Sequence, residues 1–104
     1  MESYKLQRIM RTARFLEKND GFTKSEGLKQ SWLLFQIREK LTKGPTTFSY
    51  RKADGSVRNA VGSFPSKRFA ENSFEGPSGI KRSQLYYDIE VDDWRQFRIA
   101  NLLG

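Results

Sequence analysis

Apolar side chains recur with a helical period over residues 2 to 18. Leu6, Ile9, Met10, Ala13 and Leu16 gather on one side of the helical wheel, and Arg8, Arg11, Arg14 and Lys18 lie mostly around the other. The spacing predicts an amphipathic helix. Gly21 ends it, because a residue without a Cβ adopts the left-handed conformation at low cost. Phe22 leads into Thr23-Lys24-Ser25-Glu26, a capping-box sequence that predicts the start of a second helix. From Leu28 to Leu41 the apolar residues fall on two faces: Leu28, Trp32 and Phe35 on one, and Leu33, Leu34, Ile37 and Leu41 on the other. A helix apolar on two sides is usually sandwiched, so it should pack on the first helix and on a sheet. Lys43-Gly44-Pro45 closes it, since Pro cannot continue the helix.

After Pro45 the period drops to two. Phe48 and Tyr50 alternate with Thr47, Ser49 and Arg51, Lys52 to Ser56 contains the hairpin dipeptide Asp54-Gly55, and Val57 to Gly62 returns as the partner strand. Residues 63 to 83 hold Pro65, Pro77, Gly76 and Gly79 among scattered charges, which predicts a long ordered loop with room for a short strand. Leu85 to Ile89 and Trp94 to Ile99 read as two further strands joined by the acidic turn Glu90-Val91-Asp92-Asp93. Asn101-Leu102-Leu103 adds a short apolar hook. The expected fold class is α+β: a two-helix arm over residues 1–44 packed on a small five-stranded antiparallel barrel over residues 45–104, the two forming one cooperative unit.

Composition narrows the chemistry. The 8 Phe, 4 Tyr and 2 Trp predict an aromatic core in a chain that is only 37% apolar. The absence of Cys removes disulfides and thiolate chemistry, and the absence of His removes the commonest metal ligand and general base. Of the net +7, residues 1–44 carry +5 and residues 45–104 carry +2, so the helical arm dominates the field. A positive field of this size favours polyanions. It also serves simply to keep a small protein in solution. Residues 1–16 spread their charges instead of placing a basic patch before an apolar run, and no stretch is long enough to span a bilayer. A cytoplasmic location and no membrane partner are expected.

Several segments resemble a known family. They are Phe48-Ser49-Tyr50-Arg51-Lys52-Ala53-Asp54-Gly55-Ser56-Val57-Arg58, then Ala60-Val61-Gly62-Ser63, Tyr86-Tyr87-Asp88, and Trp94-Arg95-Gln96-Phe97-Arg98-Ile99-Ala100-Asn101-Leu102, with Lys24 to Trp32 upstream. Together they are similar to the WYL-related Sm-like barrel family of small proteins from bacteriophages and Bacteroidota mobile elements, over roughly residues 23 to 104. The resemblance implies an SH3-like (Sm-like) barrel and, through related WYL domains that sense nucleic acids or nucleotides, ligand-facing roles for Arg95 and Arg98. The chain is shorter than a full WYL domain and lacks an attached winged helix, which argues against transcription-factor activity. Small basic proteins of this group also include anti-defence factors, among them inhibitors of RNA-targeting CRISPR effectors.

Two readings stand for each candidate cluster. Tyr50, Arg51, Lys52 and Arg58 interleave with Phe48 on one hairpin, where aromatics stack on bases and cations hold phosphates. Alternation equally allows Phe48 and Tyr50 to be core and the cations to be solvated. On the last hairpin Tyr86, Trp94, Arg95 and Arg98 are candidates. If Leu85, Tyr87 and Ile89 are core, Tyr86 and Asp88 face out; if Phe97 and Ile99 are core, Arg95 joins them and needs a carboxylate such as Asp88. Arg8, Arg11, Arg14 and Lys18 form a helical stripe that fits a phosphate backbone or is only a solvated face. Lys67, Arg68, Lys81 and Arg82 complete the candidates from the long loop. The carboxylates Asp88, Glu90, Asp92 and Asp93 have no nucleophile or His beside them, so neither an enzyme nor a metal or other cofactor is expected. The expectation is a non-enzymatic binder of nucleic acid, RNA favoured, or of a host nucleoprotein effector. The alternative is an anti-CRISPR-like inhibitor of an RNA-guided nuclease or of its guide RNA. A third reading is an assembly component, since Sm-like barrels often form homo-oligomeric rings.

Overall fold

The computed structural model describes the backbone of residues 2–64, 75–76, 79–80 and 82–104, and the side chains of residues 5–64 and 82–104. Helix α1 (Glu2–Asp20) ends at Gly21, whose φ of 71° is the left-handed conformation its position demands. Helix α2 (Lys24–Lys43) begins with the capping box in place: Glu26 N–H donates to Thr23 Oγ1 at 3.1 Å, and Thr23 N–H to Glu26 Oε1 at 2.9 Å. The Thr23 backbone N–H and, after it, the Thr23 hydroxyl hold the Glu26 carboxyl below its ordinary value.

The two helices form an antiparallel hairpin that closes at small residues. Gly27 lies so near Ala13 that a Cβ on it would stand 2.9 Å from the Ala13 carbonyl oxygen, and Ser31 Oγ donates to the Ile9 carbonyl at 2.7 Å. Ile9, Ala13 and Leu16 are buried as the period predicts. Leu6, Met10, Leu28 and Trp32 are not buried, which corrects the expectation that the Leu28–Trp32 face would be covered. The close approach at Gly27 and Ser31 replaces them as the inter-helix contact.

Five strands form one antiparallel sheet in the order β6-β5-β2-β1-β7. They are β1 (Thr46–Arg51), β2 (Val57–Ser63), β5 (Ser83–Asp88), β6 (Asp93–Arg98) and β7 (Leu102–Leu103); β3 (Glu75–Gly76) and β4 (Gly79–Ile80) pair with each other. The fifth strand is thus the C-terminal hook, which pairs with β1 through Ser49–Leu103 and Tyr50–Leu102. Asp54-Gly55 makes the β1–β2 turn, with Gly55 at φ 91° and Lys52 N–H bonded to the Ser56 carbonyl at 2.7 Å. The sheet is not closed: among the described residues no ladder joins β6 to β7 or β1.

The core lies between sheet and helices. Phe48, Tyr50, Ala60, Tyr86, Phe97 and Leu102 meet Leu16, Leu34, Ile37 and Leu41, with Phe48, Tyr50, Tyr86 and Phe97 in mutual ring contact at centroid distances of 5.0 to 6.2 Å. Gln30 Nε2 fastens α2 to the sheet, donating at 2.8 Å to the carbonyls of both Ile99 and Leu102. No helix among the described residues is long and apolar enough to cross a membrane.

Candidate functional site

The alternation along β5 runs opposite to the phase that would bury Leu85 and Tyr87. Gln84, Tyr86 and Asp88 point inward, while Leu85 and Ile89 are exposed. Asp88 is fully buried and accepts from Arg58 Nη2 at 2.5 Å, from Tyr86 Oη at 3.3 Å, and from the Glu90 and Val91 N–H groups at 3.0 and 3.2 Å. Burial pushes its carboxyl up, but the Arg58 bond, the Val91 N–H and the Arg58 charge outweigh it and leave the net value below the ordinary one. Arg58 is raised in turn, chiefly by its bond to Asp88. Tyr86 is raised by burial and by its 2.9 Å bond to the Tyr50 hydroxyl.

These contacts correct three predicted binding residues. Tyr50 and Tyr86 are core, their hydroxyls hydrogen-bonded to each other inside the aromatic cluster. Arg58 is a structural ion-pair partner, and its Nε is buried with no hydrogen-bond partner among the described residues. Asp88 is therefore taken, and Arg95 is exposed instead of sharing the buried side of Phe97 and Ile99. Arg95 lies toward the solvent end of β6, where only Phe97 is covered.

The cations that do converge lie at the open seam of the sheet. Arg51 at the end of β1, Lys52 after it, and Arg98 at the end of β6 line one cleft of about 270 Å³ together with Ser83, Gln96, Phe97 and Asn101. Ser83 stands opposite Arg98 in the β5–β6 register, and Asn101 belongs to the short 3-10 turn that carries the chain from β6 to β7. Strands β1 and β6, separated in the sheet order by β2 and β5, thus contribute positive charge to the same hollow. Arg51 uses one nitrogen to hold the β1–β2 turn, Nη1 to the Gly55 carbonyl at 2.7 Å, and a guanidinium keeps four other N–H groups. Arg98 has Asp20 of α1 at 3.8 Å. The same carboxylate takes Arg82 at 2.7 Å, and Arg82 also donates to the Asn19 carbonyl at 3.2 Å.

Toward the other end of the β5–β6 ladder from Ser83 and Arg98, the two strands carry an aromatic pair. Trp94 is 45% exposed and stands edge-to-face on Tyr87 at 5.6 Å, the two being cross-strand partners. Tyr87 also donates to Asp92 Oδ1, and Asp92 is the one described non-glycine residue with positive φ, 55°. On the helical arm Arg11, Arg14 and Lys18 are exposed and Arg8 is partly covered. Lys67, Arg68 and Lys81 lie outside the described residues. Of the predicted candidates, then, Arg51, Lys52 and Arg98 come together, with Trp94 and Arg95 on the same edge strand as Arg98. Arg8, Arg11, Arg14 and Lys18 form a separate helical face, and Arg82 sits at the Asp20 junction.

Ser83, Gln96 and Asn101 are not candidates from the sequence. They are ordinary polar residues in three separate segments, and only the fold brings them to the cleft.

Residues 34–103 match the family model described as WYL_2, Sm-like SH3 beta-barrel fold. No curated protein and no solved structure matches the chain.

Proposed function

The chain belongs to the WYL_2 family of Sm-like SH3 β-barrels, a small binding-type protein, and from that premise we propose that it binds single-stranded nucleic acid, RNA favoured, without catalysing a reaction. The observation that carries this reading is the convergence of Arg51 and Lys52 from the end of β1 and Arg98 from β6 on one cleft. Three cations favour a phosphate, and the hydroxyl of Ser83 with the amides of Gln96 and Asn101 supplies donors and acceptors for a sugar or base edge. A hollow of about 270 Å³ suits a nucleotide unit of a flexible strand better than the broad face of a duplex. Exposed Trp94 offers a stacking surface that only an unpaired base can use. The 2′-hydroxyl, both donor and acceptor, is what such polar lining groups would distinguish. The +5 arm adds attraction without sequence preference.

Fluorescence anisotropy with labelled single-stranded RNA and DNA at two salt concentrations tests this. RNA should bind more tightly than DNA, affinity should fall with salt, and Arg51→Ala with Arg98→Ala should lower both affinity and salt slope. Absence of binding at low salt removes the proposal.

A second reading is supported by apolar side chains left exposed on the arm, which suit a protein contact: an anti-defence inhibitor that engages a host RNA-guided nuclease or interferes with its guide RNA. Pull-down with that nuclease before and after RNase treatment separates the two, because a direct protein contact survives removal of RNA.

A further inference from the structure

Along the α1–α2 hairpin, three of the contact residues are followed by an exposed apolar one. Ile9, whose carbonyl takes the Ser31 hydroxyl, precedes Met10; Ser31 precedes Trp32; Gly27, packed on Ala13, precedes Leu28. One residue is a turn of about 100° about a helix axis, and in two antiparallel right-handed helices that step carries both side chains to the same outer side of the hairpin. Leu6, four residues before Met10, joins them on the same stripe. The opposite direction leads to the sheet, since Gln30, just before Ser31, bonds to Ile99 and Leu102. Leu6, Met10, Leu28 and Trp32, exposed by 49, 41, 36 and 40%, therefore form one patch facing away from the sheet and from the basic cleft. All four precede the family-matched segment, which begins at residue 34.

The surroundings of the patch select its occupant. Arg11 and Arg14 line a groove together with Leu6, Gln7 and Met10, so the apolar floor has a cationic wall. A second copy would bring two +5 arms together. Four half-exposed side chains also offer far less than the ~800 Å² that each partner of a stable dimer buries. An amphipathic helix with acidic flanks meets both conditions, its apolar stripe covering the patch and its carboxylates facing Arg11 and Arg14.

We propose that the outer face of the α1–α2 hairpin docks an acidic amphipathic helix of a partner protein, which becomes the third helix of the arm. Panning the full chain against a displayed library of helical 18-residue peptides tests this. Enriched peptides should carry an excess of Asp and Glu beside apolar residues at i, i+4 and i+7. Their binding should weaken at least tenfold with Trp32→Ser or Met10→Gln and with the charge reversal Arg14→Glu, and should be unchanged with Arg51→Ala. Circular dichroism confirms that each variant is folded. Three results overturn the proposal: enrichment without acidic bias or indifferent to Trp32 and Met10, a concentration-dependent dimer that Met10→Gln dissolves, or retention on phosphatidylglycerol vesicles through Trp32.

Discussion

Asp88 stays ionised without exposure because Arg58, Tyr86 and two backbone N–H groups together outweigh the cost of removing a carboxylate from water. Replacing it with Asn leaves Arg58 facing a neutral group at a buried position, and should cost about 3 kcal/mol at neutral pH in urea unfolding. The pH dependence has a definite sign. The folded value lies below the ordinary 3.8, so in that range the unfolded chain binds the proton first. The stabilisation is full above the unfolded value and is lost as pH falls through the folded one. The gap between wild type and Asp88→Asn should therefore be constant near neutrality and narrow below about pH 4; parallel stability curves down to pH 2 would refute the pairing. Gly62 tests the same region by volume. A Cβ there would stand 2.7 Å from Tyr86 Cδ2 and 3.1 Å from Phe48 Cε1, so Gly62→Ala should destabilise by about 1–3 kcal/mol through displaced rings. Thermal unfolding measures it.

The elements differ in how plainly the sequence announces them. Thr23-x-x-Glu26, Gly21 and Asp54-Gly55 each specify a local geometry with residues in contact with one another, and each is present as expected. The phase of β5 could not be read in that way. In Leu85-Tyr86-Tyr87-Asp88-Ile89 the apolar alternation favours burial of Leu85, Tyr87 and Ile89, and the opposite outcome rests on Arg58 of β2 and Tyr50 of β1, which only strand pairing supplies. The helical hairpin gives a similar lesson. Hydrophobicity alone assigns Leu28 and Trp32 to the covered face, whereas the covered face is set by what lets two backbones approach, namely Gly27 and Ser31. Since the obstacle to a Cβ at Gly27 is the Ala13 backbone carbonyl, Gly27→Ala must push α1 and α2 apart. It should cost about 1–3 kcal/mol by thermal unfolding, despite the better helix propensity of Ala.

In the whole molecule, arm and sheet share charges as well as a core. Asp20, at the end of α1, accepts Arg82 and lies near Arg98, a wall of the basic cleft. It is thus an anion already beside the hollow proposed to receive one. Neutralising it as Asp20→Asn should raise RNA affinity about twofold to fivefold, the equivalent of ~0.4 to 1 kcal/mol for an exposed ion pair. An anisotropy titration at low salt reads the change, and an unaltered affinity would disconnect Asp20 from the site. The cleft itself is only partly legible: Arg51, Lys52 and Arg98 are visible as cations, but their meeting depends on the sheet bringing the ends of β1 and β6 to one hollow. The two-residue clasp of β7 on β1 has a consequence in time. The α1–α2 and β1–β2 hairpins join near neighbours, whereas Ser49–Leu103 and Tyr50–Leu102 join distant stretches of chain, and closing a longer loop forfeits more freedom before any contact repays it. During refolding the clasp should set last, so in pulse-labelled hydrogen exchange the amides paired between β1 and β7 should gain protection after those paired between β1 and β2.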